Sequence, residues 1–125
     1  MSAKEIGEKL VAYCKEGKNV DAINELYSDN IISVEAAASP DAGMPREMNG
    51  KEAILGKNKW WAENHEIHSA EVNGPWPHGD NKFAVQFSYD VTFKPQSQRM
   101  QMNEIAVYEV QDGKVAREEF FYSMG

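Results

Sequence analysis

Phe83-Ala84-Val85-Gln86-Phe87-Ser88-Tyr89-Asp90-Val91-Thr92-Phe93-Lys94 decides the fold of this chain. Phe83, Val85, Phe87, Tyr89, Val91 and Phe93 alternate with polar or small residues through twelve positions. Alternation of that kind marks a strand with one buried face. Twelve residues are long for a strand, so the sheet that holds it bends. The other set, Gln86, Ser88, Asp90 and Thr92, belongs on the outer surface, facing water or a second subunit.

C-terminal to this strand, Pro95 to Gln98 reads as a turn. Strands over about Arg99 to Val110 and Lys114 to Tyr122 flank Gln111-Asp112-Gly113. Asp-Gly is a hairpin signal that fits a two-residue loop or a three-residue loop with Gly113 left-handed at a bulge. The three-residue loop, preferred here, pairs Ala106 with Glu118. It puts Glu104, Ala106, Tyr108, Glu118, Phe120 and Tyr122 on one face. The two-residue loop would flip the last strand and bring Arg117, Glu119 and Phe121 there instead.

N-terminal to it, the cluster Asn73-Gly74-Pro75-Trp76-Pro77-His78-Gly79-Asp80 predicts a turn after a strand over Glu66 to Val72. Ile6, Leu10, Tyr13 and Cys14 recur at helical spacing from about Ala3 to Glu16, with Gly17 as the C-terminal stop. Asn19 is placed to cap a short second helix carrying Ile23, Leu26 and Tyr27, broken by Ser28-Asp29-Asn30. Ile31 to Ala37 reads as a strand, and Ser39 to Asn49 as a Pro- and Gly-punctuated loop long enough to cover something. A third helix spans Lys51 to Asn64, with Ile54, Asn58, Trp61 and His65 on one stripe. The order is an α+β arrangement, helices against one face of a curved sheet.

The 125 residues carry 13 Lys+Arg against 20 Asp+Glu, a net charge of −7, and 42% apolar residues. This fits one globular domain over 1–125. The acidic balance argues against nucleic acid, whose phosphates are bound mainly by Lys and Arg. No apolar run approaches the roughly 18 to 20 residues that span a bilayer, so no membrane role is expected. A single cysteine, Cys14, and an N-terminus without an apolar leader core predict a cytoplasmic setting. His65, His68 and His78 lack the patterned partner ligands of zinc or iron sites. Neither metal nor cofactor is expected.

Several segments together resemble the SnoaL-like domains of the nuclear transport factor 2-like superfamily, related to polyketide cyclases and ketosteroid isomerase. They are Leu26-Tyr27-Ser28-Asp29-Asn30 leading into Val34-Glu35, Asn49-Gly50-Lys51-Glu52-Ala53-Ile54, and Asn64-His65-Glu66-Ile67-His68. Asp90-Val91-Thr92-Phe93 and Tyr108-Glu109-Val110-Gln111-Asp112-Gly113-Lys114-Val115 complete the set. The resemblance implies a cone-shaped roll: a curved, mixed, mostly antiparallel sheet with about three N-terminal helices on its concave face. It further implies a small-molecule pocket inside and a homodimer through the outer sheet face. The catalytic groups of ketosteroid isomerase do not carry over, because its three functional positions fall at Leu10, Ala36 and Ala106.

Two carboxylates, Glu104 and Glu118, fall on the inferred inner face and are the candidate catalytic residues. A carboxylate facing an apolar interior has its pKa raised toward neutrality, where it can act as acid or base. The plainer alternative pairs them with Arg99, Arg117 or Lys114. Glu35 has outward strand parity unless a bulge turns it in. His65 is a candidate acid or base, against the alternative of a helix-end histidine interacting with the dipole. Tyr13, Trp61, His65, Phe87, Tyr89, Tyr108, Phe120 and Tyr122 are the candidate ligand-binding residues. Aromatics dominate cores in general, yet buried tyrosine hydroxyls need partners, and an apolar cavity with a few polar tips describes a small-ligand site. The expected partner is a small apolar or amphipathic molecule. Acid/base enzyme and homodimeric interaction module are the alternatives.

Overall fold

The computed structural model describes residues 2–37 and 45–122. Helix α1 (Ala3–Lys15) starts at Ser2, whose hydroxyl accepts from the Glu5 amide at 3.2 Å. That bond satisfies one of the free donors of the first turn. Helix α2 (Asn19–Leu26) follows after Gly17, which adopts φ +72°. Asn19 is the first helical residue rather than the cap; Lys18 occupies the cap position without a side-chain bond.

Strand β1 (Tyr27–Val34) begins directly at the end of α2. Ser28-Asp29-Asn30, expected as a break, lies within β1 at a register shift between Tyr27 and Ile32. Part of the expected Ser39 to Asn49 loop lies outside the described residues; its end forms a short strand, β2 (Glu47–Asn49), paired with β1. Helix α3 (Lys51–Asn64) has the predicted bounds, and only Ile54 on it is fully buried. Its inner face looks onto a cavity instead of a packed core, which is why that stripe tolerates polar residues.

Strand β3 (His65–His78) runs straight through the expected Asn73 to Asp80 turn, which shrinks to residues 79–81. Pro75 and Pro77 are tolerated there because β3 is an edge of the sheet, where a missing N–H faces no neighbouring strand. The quoted strand is β4 (Lys82–Phe93), followed by a turn of 3-10 helix at Lys94–Gln96, β5 (Gln98–Gln111) and β6 (Lys114–Phe121). The six strands lie in the order β2-β1-β6-β5-β4-β3, with β1 parallel to β6 and every other pair antiparallel. The helices and this mixed, unclosed sheet make the α+β cone.

The β5–β6 hairpin corrects the preferred loop. Gln111 pairs with Lys114 across a two-residue turn, Asp112 and Gly113, at φ +53° and +75°. Positive φ at both positions is what a type I′ turn demands. A bulge then intervenes: Val110 pairs with Val115 but Glu109 pairs with Arg117. The inserted residue restores parity, so Tyr108 faces Glu118 and Ala106 faces Phe120. The predicted inner face survives, although the Ala106–Glu118 pairing does not.

The dry core fills the end of the cone under α1 and α2, around Ile6, Leu10, Leu26, Ile31, Phe83 and Val115. There Gly7 lets α1 lie against the sheet: a Cβ on it would stand 2.8 Å from Pro75 Cβ and 3.1 Å from Phe83 Cδ2. Among the described residues no helix is long and apolar enough to cross a membrane.

Candidate functional site

The rest of the cone encloses a cavity of about 530 Å³ between α3 and the concave face of the sheet. Its polar pole is organised by Glu118 on β6, 2% exposed. Because β1 runs parallel beside β6, Ser33 sits next to Glu118 and its hydroxyl donates to Glu118 Oε2 at 2.7 Å. The Tyr27 hydroxyl donates to the other carboxylate oxygen. From α3, Lys57 Nζ donates to Ser33 Oγ at 2.7 Å and to Glu35 Oε1 at 2.8 Å, and stands 3.9 Å from Glu118 Oε2. The Tyr122 hydroxyl donates to Glu35 Oε2 at 3.2 Å. Burial pushes the Glu118 carboxyl up, against the pull of Lys57 and the hydrogen bonds from Tyr27 and Ser33.

The aromatic wall faces this pole. Trp61 stacks on His65 at 4.4 Å between ring centres and meets Tyr89 at 5.4 Å, while Phe87 stacks on Tyr89 at 6.0 Å. His65 Nδ1 lies 2.8 Å from the Trp61 carbonyl oxygen. A carbonyl only accepts, so Nδ1 carries the proton and donates. Burial lowers the His65 pKa, opposed by this hydrogen bond. The histidine is therefore a neutral, oriented part of the wall.

Glu104 lies on β5 with Phe87 as its cross-strand neighbour and lines the cavity. Burial, reinforced by Glu35 and Glu118 and opposed by Lys57, pushes its carboxyl up to about 7. Among the described residues the Glu104 carboxyl takes part in no side-chain hydrogen bond, and neither do the hydroxyls of Tyr89 and Tyr108. Both hydroxyls are held well above the usual tyrosine range, chiefly by burial, and so stay protonated. Cys14 also lines the cavity, its thiol pushed up to about 12 by burial and by Glu118. A protonated thiol of this kind is a weak donor and a poor nucleophile.

Of the sequence-predicted site residues, Glu104, Glu118, Trp61, His65, Phe87, Tyr89, Tyr108, Phe120 and Tyr122 meet in this one cavity. Tyr13 does not. Its hydroxyl donates to Glu25 Oε1 at 2.9 Å on the α1–α2 side, and Cys14 takes the inward place on that stripe. The basic partners named from sequence also lie elsewhere: Arg99 clamps Asp90, Arg117 bonds Glu119, and Lys114 reaches the Glu25 carbonyl. Lys57 is the residue that sequence reasoning missed. Its spacing from Ile54 and Trp61 puts it on the inner face of α3, a signal available in the sequence. Glu35 turns inward because it follows the last residue of β1, where strand parity no longer applies.

The family model of the SnoaL-like domain matches residues 1–122. The chain belongs to the SnoaL-like domain family. A solved protein from Mesorhizobium loti, designated a candidate SnoaL-like polyketide cyclase, shares 38% identity at a TM-score of 0.89, covering 98% of this chain and 100% of that one. A candidate isomerase from Bacillus subtilis is 21% identical at TM-score 0.76, over 98% of this chain and 90% of that one. A candidate polyketide cyclase from Pseudomonas putida is 15% identical at TM-score 0.71, over 99% and 93%. The last two share the fold alone. No curated protein matches the chain. Of Leu10, Ala36 and Ala106, where the resemblance put the functional groups of ketosteroid isomerase, Leu10 and Ala106 are buried apolar residues and Leu10 also lines the cavity. Its ionisable groups sit instead on Glu35, Lys57, Glu104 and Glu118.

Proposed function

We propose that this SnoaL-like domain binds a small, largely apolar molecule in the cone and that Glu104 exchanges a proton with it. One observation carries this: a carboxyl raised to about 7 faces an aromatic cavity without a hydrogen-bond partner among the described residues. An acid or base poised near the working pH is the arrangement general acid/base catalysis favours. Trp61 and Tyr89 supply the apolar surface, Tyr108 and Tyr89 the polar tips.

Native mass spectrometry of freshly purified protein tests the binding step. A reproducible added mass, lost on denaturation and diminished in Trp61→Ala and Tyr108→Ala, is the expected result. Equal retention in both variants refutes this cavity as the site. For the molecule so identified, Glu104→Gln should lower turnover about 10²- to 10⁴-fold; an unchanged rate removes Glu104 from the chemistry.

A homodimer through the outer sheet face is proposed as the assembly. Ile105 and Phe121 are cross-strand partners there, 38% and 49% exposed, an apolar pair left facing water. A cytoplasmic setting is proposed from the single cysteine.

A further inference from the structure

The cavity lining holds three carboxyl side chains, Glu35, Glu104 and Glu118, against one lysine, Lys57, and no arginine. Residues 38–44 and 123–125 contain no Lys, Arg or His either. Lys57 is already engaged, bonded to Glu35 and Ser33, near Glu118, and 5.1 Å from the centre of the Phe120 ring. His65 is the other basic side chain, and its Nδ1–H is held by the Trp61 carbonyl. The lining thus carries more carboxylate than cation, and Glu104 has no counter-charge of its own.

An entering anion meets that excess without compensation, since the protonated hydroxyls offer dipoles but no charge. An organic cation is drawn twice, by the carboxylate and by the ring faces. The protein supplies its own precedent, because the Lys57 ammonium rests between carboxylates over the Phe120 ring. Tyr108, 2% exposed and lining the cavity, has a hydroxyl oxygen free among the described residues to accept an ammonium N–H.

We infer that the cavity selects an organic cation: an ammonium group on a small apolar or aromatic body, its N–H directed at Glu104 with the Tyr108 oxygen beside it. The body lies against Trp61, Phe87 and Tyr89. The inference rests on the cavity being a ligand site, as proposed above. Ammonium binding needs Glu104 ionised. The groups that face it are Glu35 and Glu118, which oppose ionisation, Lys57, which favours it, and the uncharged Tyr89, Tyr108, Tyr122 and Cys14. Affinity for a cation therefore rises with pH through neutrality.

Calorimetric titration with 2-phenylethylamine, 2-phenylethanol and phenylacetate at pH 8 tests this, the three probes being alike in size and differing in charge. The amine should bind at least about tenfold tighter than the alcohol, equivalent to about 1.4 kcal/mol, and phenylacetate most weakly. In Glu104→Gln, checked for folding by circular dichroism, the amine-to-alcohol ratio should fall to about threefold or less. The three-probe comparison in the unsubstituted protein stands even if the variant fails to fold. Alcohol or phenylacetate binding as tightly as the amine overturns the cation selectivity and leaves the cavity a ligand site. A ratio that persists in the variant overturns the assignment to Glu104. Failure of all three to bind overturns the ligand site as well.

Discussion

Replacing Glu104 by Gln should change how stability depends on pH, with a sign fixed by linkage. In the unfolded chain the carboxyl titrates near its ordinary 4.5, and in the folded protein burial holds it at about 7. Between those values the folded state binds more protons than the unfolded state, so the carboxyl's contribution falls as pH rises. At about 1.4 kcal/mol per pH unit, the folded protein loses about 3 kcal/mol from this one side chain between pH 4 and pH 8. A Gln of the same shape titrates in neither state. Urea unfolding of both proteins at half-unit pH steps gives the stability difference directly. The variant should gain on the unsubstituted protein by about 3 kcal/mol across that range, with the midpoint of the change between the two pKa values. A difference flat to within about 0.5 kcal/mol would mean that Glu104 is solvated like a surface carboxylate, and the acid/base proposal would lose its basis.

Lys57→Met removes the ammonium that joins Glu35 and Glu118, leaving a buried carboxylate uncompensated. It should cost about 3 kcal/mol at pH 8 and less at lower pH, because burial raises the Glu118 carboxyl and so favours its neutral form as pH falls; equal losses at pH 8 and pH 5 would exclude a charge effect. Gly7→Ala, normally a gain of up to about 1 kcal/mol in a helix, should instead lower the melting temperature, because its Cβ would meet Pro75 at 2.8 Å. The expected loss is about 1 to 3 kcal/mol, and a raised melting temperature would show that α1 has room to move off β3. Phe121→Glu puts a charge on the outer face beside Ile105; sedimentation should then report monomer, and a dimer of unchanged stability would place the assembly surface elsewhere.

Local periodicity was enough for much of this molecule. The alternation from Phe83 to Phe93 set β4 and its inward face, and helical spacing set α1 and α3. Asp112-Gly113 marked the last hairpin without choosing its loop, which has two residues rather than the three expected. These signals are short-range, each written within one element, so they survive without knowledge of partners. Through them Glu104 and Tyr108 were legible on the inner face; Glu118 and Phe120 were expected there through a three-residue loop that does not form, and the bulge beyond the two-residue turn is what puts them there. Where two readings differed by one residue, local pattern failed. Tyr13 and Cys14 both satisfy a helical stripe, and packing against α2 chose Cys14 for the cavity. The stretch 73–80 reads as a turn by composition, yet its prolines are accommodated because β3 is an edge strand.

The amino-acid sequence by itself determined most of the elements, the polarity of their faces and the acidic, aromatic character of what lies between them. Tertiary structure alone decided which charges meet. The parallel pairing of β1 with β6 seats Ser33 against Glu118, 85 residues apart in the chain, and the fold of α3 across the sheet brings Lys57 to both carboxylates. The β6 bulge, one residue in length, kept Glu118 facing inward. Such contacts depend on strand order and register, which follow from the burial of all faces at once; no single segment's periodicity encodes them.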